Sequence, residues 1–468
     1  MKLRRLQAAP LAGLLLAATA AVARAVPLAA GQSRTLPGTL EVVSEDLLDG
    51  SEVRHVGVRT QHGVVALDAA SVGEDVQSGG DAEVSVFSTG EGLELLGVRL
   101  PEWIPIHKPG RKERVAVILL RFSRDGEAIA TPFTRKEVET VVFGEGNRYL
   151  EEVSYGKLRI EGTVVGFYTL PFAPTCDTEE ISRAALPLAD RQLDYRKFDR
   201  VVMAYPNNNC RYGGMGTVGK TKIDTREGQV QVSLMWMPGE ISLRIFAHEY
   251  GHNLGLWHAS SLWCDRPGDF GLGCADEEYG DPYDAMGFPF PGHFGAHNKA
   301  AIGWLSGRQV MTVEAGRPRT VVARLTPVET RDGLKEIVIP VALPDGQAFA
   351  YHVEYRQPLG MDREVGLETD GALVRMTMGR EDDASRCLRT HLLPMPQAGE
   401  SAGRDRYVLR AGSRYEDPIS RVSIVVLRRL GNGLSVAVTV GASAPSARDS
   451  HGARHAAGMA SLPFDLRD

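Results

Sequence analysis

One short run of sequence constrains this chain more than any other, because it fixes three histidines, a glutamate and a glycine at regular spacing. The run HEYGHNLGLWH carries His248, Glu249, His252, Gly255 and His258 in the pattern H-E-x-x-H-x-x-G-x-x-H. Positions i and i+4 share one face of a helix, so the first two imidazoles are predicted to lie side by side. Glycine adopts positive φ without steric cost, which lets the backbone leave the helix sharply. The run therefore predicts a helix and a turn that brings the third histidine back to the first two.

This arrangement is typical of a catalytic zinc site, in which three protein ligands leave the fourth tetrahedral position to water. We therefore predict that His248, His252 and His258 bind one Zn²⁺ ion and that Glu249 acts as general base on the bound water. The alternative is a solvated helix with incidental histidines. The run SLRIFAHEYGHNLGL is rich in apolar residues, however, which predicts a buried helix whose polar groups need partners.

Composition limits the classes of partner. The chain has 468 residues, 43% of them apolar, which is enough for two or three packed domains. Its net charge of −6 comes from interspersed charges without a basic stripe, so nucleic acid is excluded as a partner. A protein or glycoprotein substrate is the expected partner, and we expect a monomer.

The N-terminus has the pattern of a secretory signal peptide over residues 1–25. Lys2 and two arginines precede an apolar run from Ala8 to Ala21, and small residues follow at Ala23 and Ala25. This apolar run is short for a membrane span, although an uncleaved anchor is the alternative. The mature protein is therefore predicted to be secreted or periplasmic.

Five cysteines leave one unpaired if disulfides form. Cys264 and Cys274 flank a short loop just after the third histidine, where a bridge would stiffen the rim of the site. Cys176 and Cys210 are the plausible second pair, which leaves Cys387 free.

Patterning divides the rest of the chain into regions. Residues 26–105 are predicted to be a β-rich N-terminal segment or propeptide. Residues 113–308 alternate strands with helices and contain the apolar runs 114–122 and 198–206, which predict buried strands. Residues 310–442 repeat strands and turns. We expect an α+β or α/β domain with a twisted mixed sheet and an active-site helix, followed by an all-β sandwich-like domain. Residues 443–468 are predicted to be a disordered tail.

The segment 228–237, directly before the motif helix, has the composition of a strand. One interpretation places it at the edge of the sheet, where it could bind an extended peptide by strand addition. An interior strand is the equally weighted alternative.

A downstream methionine extends the histidine motif into a pattern that resembles the metzincin signature. Met286 lies in the loop EYGDPYDAMG, 28 residues after His258. The stretches YGD-x-x-D-x-MG, GHFGAHNKAAIGWL and NRYLEEVSYGKLRIEGTVVGFYTLP are similar to gametolysin-like metallopeptidases, peptidase family M11, over roughly residues 113–305. The resemblance implies a metzincin-like fold, the three histidines as zinc ligands, Glu249 as base, and Met286 beneath the imidazoles.

The resemblance also raises a question of regulation. Matrix-type relatives hold themselves inactive with a propeptide cysteine on zinc, but this chain has no cysteine before Cys176. If residues 26–105 are an inhibitory propeptide, they must block the site sterically or place another ligand on the zinc. The candidates for that ligand are His55, His62, His107 and an acidic side chain.

An acidic loop follows the third histidine. Its carboxylates make a structural calcium site conceivable, although the spacing is irregular. The favoured alternative is a solvated rim or carboxylates that accept hydrogen bonds from the ligand histidines. The members of this loop are Asp276, Glu277, Glu278, Asp281 and Asp284.

These features predict a secreted zinc-dependent endopeptidase that hydrolyses peptide bonds of extracellular or cell-wall proteins. The alternative is a secreted surface- or glycan-binding protein with a degenerate metallopeptidase domain. Intact ligands and an intact glutamate argue against degeneracy.

Overall fold

A computed structural model describes residues 3–6 and 31–441 with short gaps. The predicted signal cleavage site, the predicted tail, His62, His107 and Cys387 lie outside the described residues. The internal gaps are residues 50, 62, 70–71, 73–75, 89–92, 102–108, 266–269, 271–272, 288–290, 315–317, 343–346, 365, 381–388 and 396–405.

The chain forms two compact units. The first comprises Met1–Arg148 and Leu158–Gly255, and the second comprises Tyr149–Lys157 and Leu256–Asp468. The motif helix lies in the first unit and His258 in the second. The domain boundaries predicted from the sequence stay predictions.

The first unit is built on a mixed sheet of twelve strands, with a separate two-stranded hairpin formed by β8 and β9. Its strands are β1 Leu3–Leu6, β2 Ser33–Leu47, β3 Glu52–Thr60, β4 Gly63–Leu67, β5 Asp81–Ser88, β6 Leu93–Pro101, β7 Lys112–Arg121, β8 Ser123–Arg124, β9 Glu127–Ala128, β10 Arg159–Thr169, β11 Arg200–Tyr205, β12 Tyr212–Thr217, β13 Thr221–Thr225 and β14 Gly228–Pro238.

Few helices accompany this sheet. A π-helical turn, Thr140–Gly146, joins the first two α-helices of the chain, and a 3₁₀ turn spans Tyr195–Lys197. The α-helices are α1 Arg135–Glu139, α2 Asn147–Val153, which crosses the division between the units, α3 Thr178–Ala189 and α4 Leu243–Asn253.

The centre of this sheet is parallel, in the order β10-β7-β11-β14. All six residues of β11 are buried, as expected for a strand covered on both faces. On one face, Ile181 and Ala185 of α3 share an apolar cluster with Ile118 and Met203. The buried strands predicted from the apolar runs 114–122 and 198–206 are confirmed as β7 and β11.

The N-terminal segment extends the same sheet. β12 pairs antiparallel with β14 on one side and with β2 on the other, and the order continues through β5 and β6 to β1. Of the two alternatives for 228–237, the edge strand is wrong and the interior strand is confirmed, because β14 lies between β11 on one side and β12 and β13 on the other. Its composition fits both positions, so only the pairing distinguishes them.

The second unit is rich in β-structure. Eight strands form one sheet and four form another. Ile337, Tyr351 and Val374 of the larger sheet share one apolar cluster with Ile424 and Val436 of the smaller, as in a sandwich. Its elements are β15 Ala259–Cys264, β16 Cys274–Glu277, α5 Ala296–Ala301, β17 Val310–Thr312, β18 Arg319–Leu325, β19 Glu336–Ala342, β20 Gln347–Tyr355, β21 Gly371–Arg380, β22 Thr390–Leu392, β23 Leu409–Arg410, β24 Arg414–Asp417, β25 Val422–Leu430 and β26 Gly433–Val440, with 3₁₀ turns at Gly307–Gln309 and Gly360–Asp362.

Both favoured cysteine pairs form disulfides. Cys176 bonds to Cys210 in the first unit, and Cys264 bonds to Cys274 in the second. Two disulfides fit an extracellular protein. Among the described residues, no helix has the length and apolar character needed to cross a membrane.

Candidate metal centre

Local sequence determines where the motif helix begins and ends. Ser242 caps α4, since its side chain accepts a hydrogen bond from the Ile245 N–H. At the other end Gly255 has φ +94°, and its N–H donates to the His252 carbonyl at 2.7 Å. A side chain here would be strained by φ and would press on Gln77, whose amide lies 2.8 Å from an added Cβ. The predicted glycine turn is therefore present.

The first two histidines of the motif lie side by side on the buried face of α4. Their ring centroids are 5.0 Å apart, and the residues are 8% and 0% exposed respectively. The Asp46 carboxylate of β2 lies against both, with Oδ2 3.2 Å from His248 Nε2 and Oδ1 3.5 Å from His252 Nε2. Each of the three side chains offers a ligand atom within 4.8 Å of the others. Two imidazole nitrogens and a carboxylate oxygen are a donor set that suits Zn²⁺.

Glu249 lies between the helix and β12, where two glycines make room for it. A Cβ on Gly214 would fall on Glu249 Oε1, and one on Gly216 would lie 3.0 Å from Oε2. Glu249 is 1% exposed. The absence of side chains at these positions therefore gives the carboxylate its place beside the strand.

A buried polar layer fixes the far side of the helix. The Tyr250 hydroxyl donates to Glu113 Oε2 at 2.5 Å, and Arg200 Nη2 lies 2.9 Å from the same oxygen. Burial opposes the charged guanidinium, but the neighbouring Glu113 holds the pKa of Arg200 above its ordinary value. Burial also raises the pKa of Tyr250, so its hydroxyl stays a donor. The network orients α4 on the parallel strands β7 and β11.

Asn253 fastens the C-terminal end of α4. Its side-chain amide donates to the carbonyls of Thr217 at 3.1 Å and Leu234 at 2.8 Å. These carbonyls belong to β12 and β14, so one side chain hydrogen-bonds the end of the helix to two strands.

The third histidine is described within the second unit. His258 is 1% exposed, and its Nδ1 lies 3.1 Å from Glu278 Oε1. Histidines that bind metals through one nitrogen usually donate the other to a carboxylate or carbonyl, and Glu278 provides that partner. The ring also stacks at 4.0 Å on Tyr279.

The downstream methionine, Met286, lies in a buried turn. It is fully buried, and its N–H donates to Asp284 Oδ1 at 2.9 Å. Its carbonyl accepts from Ala259, the residue after His258, at 3.0 Å. The turn is therefore tied to the chain segment that carries the third histidine.

Comparison with known families identifies the same part of the chain. Residues 150–283 match a family model described as metallo-peptidase family M12. This match supports a metzincin-like metallopeptidase. The comparison with curated proteins gave no match. A metallopeptidase of this kind implies a bound metal, usually zinc.

The acidic loop after the third histidine makes contacts with protein groups. Asp281 lies 2.5 Å from the Arg375 guanidinium, and Asp284 Oδ2 accepts from the Gly295 N–H and the Asn298 amide. These contacts, with that of Glu278 on the third histidine, favour carboxylates that bond to protein groups over the alternative of a calcium site.

Three residues at the site were missed by sequence reasoning. Asp46 lies about 200 positions from the histidines, and nothing local marks it. Gly214 and Gly216 lie in YGGMG, a run that reads as a turn from composition. Two glycines within one strand are a signal of close approach by another group, and they could have indicated the position of the carboxylate.

Proposed function

We propose that this protein is a secreted zinc-dependent endopeptidase in which His248, His252 and His258 bind one Zn²⁺ ion. The observation that carries the proposal is the pair of adjacent imidazoles on a buried helix, next to a glutamate for which glycines clear the space. The histidine motif, the Gly255 turn and the family match support the same conclusion.

Each protein group has a role in hydrolysis. When bound, zinc supplies a Lewis acid that lowers the pKa of a water and polarises the scissile carbonyl. Glu249 accepts the proton of that water and passes it to the leaving amine. Its cavity beside Gly214 and Gly216 keeps the carboxylate in one position, which limits the reorganisation that proton transfer requires. Glu278 holds the imidazole of His258 in the tautomer that leaves Nε2 for the metal.

The finer assignment rests on the sequence. The stretches similar to gametolysin-like metallopeptidases favour that family within the metzincins, with extracellular or cell-wall proteins as substrates. The N-terminal pattern of charged, apolar and small residues supports secretion, and we expect the protein to act as a monomer. Met286 is proposed as the turn residue beneath the imidazoles.

The proposal is tested by Glu249→Gln, with exposed Glu240→Gln as the matched control. Casein hydrolysis is measured with and without the zinc chelator o-phenanthroline. Because residues 26–105 are a candidate inhibitory propeptide, both the intact chain and a chain cleaved between Pro101 and Gly110 are assayed. Because the base is lost while the ligands remain, Glu249→Gln should keep its zinc and lose about 10²–10⁴-fold in rate. The control should match the wild-type protein.

Near-normal hydrolysis by Glu249→Gln, or hydrolysis that o-phenanthroline leaves unchanged, would contradict the proposal. Glycan binding without hydrolysis in either form would instead favour the surface-binding alternative.

A further inference from the structure

β2 of the N-terminal segment occupies the free side of β12. The two strands are antiparallel, and Asp46 is the register partner of Gly214 while Ser44 is the partner of Gly216. These are the glycines against which the Glu249 carboxylate packs. Without β2, the backbone groups on this side of β12 would be open to an extended peptide, which could add as a strand. β2 therefore lies where a peptide could reach both the base and the histidines.

Asp46 is directed from this strand onto the metal-binding histidines. Its two oxygens lie 3.2 Å from His248 Nε2 and 3.5 Å from His252 Nε2, and its side chain is 14% exposed. The buried Ser44 hydroxyl lies 3.2 Å from Asp46 Oδ1 and 2.9 Å from Glu52 Oε1, so its single proton is shared between the two carboxylates. Ser44 thus holds the carboxylate at the nitrogens from which a zinc ion would be bound.

The neighbouring acidic residue takes no part in this arrangement. Side chains alternate along a strand, so Glu45 and Asp46 point to opposite faces of β2. Glu45 bonds instead to His55 Nε2 at 2.5 Å, and the His55 side chain is 52% exposed. Of the ligands considered from sequence, His55 is thus engaged elsewhere, and an acidic side chain is the one beside the histidines.

We propose that Asp46 is a zinc ligand and that β2 blocks the peptide-binding side of β12, so that the intact chain is latent until residues 26–101 are displaced. This inference rests on the proposed function, since it assigns the fourth metal position of the same site. A carboxylate on the metal takes the position of the water that Glu249 would activate. The paired strand excludes substrate independently, through backbone hydrogen bonds.

Other contacts hold the N-terminal segment in place without Asp46. Arg59 ion-pairs with Glu41 of β2 and with Glu179 of α3, each at 2.8 Å. The Gln77 amide donates to the Gly255 carbonyl at 3.1 Å, and Thr221 bonds to Glu41. A change of Asp46 alone therefore leaves the strand seated, which allows the ligand and the strand to be tested separately.

The ligand is tested with Asp46→Asn in the full chain, and Glu45→Gln on the opposite face is the control. The protein is loaded with Co²⁺, whose visible absorption reports its coordination, and zinc-loaded samples are challenged with a chelator. Loss of one charged ligand should change the Co²⁺ spectrum and speed metal loss to the chelator at least tenfold. Glu45→Gln should match the wild-type protein in both measurements. An unchanged spectrum and an unchanged rate of metal loss in Asp46→Asn would overturn the assignment.

The strand is tested with a specific protease site placed between Pro101 and Gly110. In the intact chain β2 competes with substrate intramolecularly, whereas a cut segment dissociates on dilution. Hydrolysis of a fluorogenic peptide by the cut protein should rise at least tenfold over the intact chain, and its activity per molecule should increase on dilution. Equal activity of intact and cut chains at every concentration would overturn the strand's role.

The two proposals fail in different ways. If cut protein hydrolyses peptides in a zinc-dependent manner while Asp46→Asn matches the wild-type protein, the endopeptidase stands and the fourth ligand is wrong. If the Co²⁺ spectrum responds to Asp46→Asn while the intact and the cut chain hydrolyse no peptide, the ligand stands and the endopeptidase is wrong.

Discussion

Each of the two units contains a buried pair of histidines beside one carboxylate, but the pairs are built differently. In the first unit His248 and His252 present their Nε2 atoms to Asp46, which comes from a different part of the chain. In the second unit His297 and His352 present their Nδ1 atoms to Glu336, and their rings lie 4.1 Å apart. Both sets have ligand atoms close enough for a metal ion.

The difference lies in what surrounds each carboxylate. Glu336 on β19 and His352 on the adjacent β20 belong to one sheet, and His352 Nε2 lies 2.9 Å from the Thr377 hydroxyl. The Glu336 carboxylate is thus held by a hydrogen bond to His352 of the same sheet, at 2.8 Å, and by a contact with His297 of α5. The first pair instead lies on a helix beside a glutamate in a glycine-lined space. Ligand chemistry alone therefore does not distinguish the proposed active site from the second pair; the neighbouring glutamate and the space around it do.

The largest difference between the two histidine pairs is expected in the amount of zinc that their variants retain. His248→Ala removes one of the three proposed histidine ligands, so zinc per chain should fall from about one to near zero. His352→Gln should leave the zinc content unchanged, because its pair is satisfied by protein hydrogen bonds. Elemental analysis of both variants after dialysis checks this. A loss of metal from His352→Gln would show that the second pair also binds an ion.

Acid should destabilise the folded protein through the second pair, His297 and His352. Burial, together with the neighbouring His297, lowers the pKa of His352 to about 4, from about 6.5 in an unfolded chain. The unfolded state therefore binds the proton more readily. The contribution of neutral His352 to stability is fully present above pH 6.5 and is lost as the pH falls towards 4. The loss should reach about 3 kcal/mol in the free energy of unfolding.

Urea unfolding at several pH values tests this loss, with His352→Gln as the comparison. The variant should show a smaller decrease between pH 6.5 and 4. Equal slopes for both proteins would show that His352 is not the group responsible.

The smallest contrast concerns the glycines of β12. Gly214→Ala places a Cβ on Glu249 Oε1 and 2.9 Å from Ile245 Cγ2, so the base must shift. Adjacent Gly213→Ala is the control, since its Cβ would meet only Leu48 at 3.4 Å. The cut form of Gly214→Ala should lose about 10- to 100-fold in peptide hydrolysis, because small displacements of a catalytic group are costly. If both alanine variants hydrolyse the peptide equally, the glycine does not position the base.

Local sequence predicted the elements whose signals are local. The i, i+4 histidines and Gly255 predicted α4 and its terminal turn, and the apolar run at β11 predicted a buried strand. The spacing of Cys264 and Cys274 was sufficient to suggest their bond. Each of these signals depends on residues within about a dozen positions.

The parts that were not predicted depend on strand pairing across long separations. No local pattern couples β2 to β12, so neither the position of Asp46 nor the edge of the sheet could be derived. The position of 228–237 stayed open for the same reason, since its apolar residues suit an edge and an interior strand equally. Glu278 was anticipated only as one carboxylate among five, because its choice depends on the folded loop.

The cleared space at Gly214 has a consequence for engineering this protein. The atoms that a new Cβ would meet belong to the side chains of Glu249 and Ile245 and not to the backbone, so those side chains would shift while the strand keeps its course. Selection for heat resistance would therefore accept substitutions at this position that selection for turnover rejects. A library screened only by melting temperature would accumulate well-folded, inert molecules.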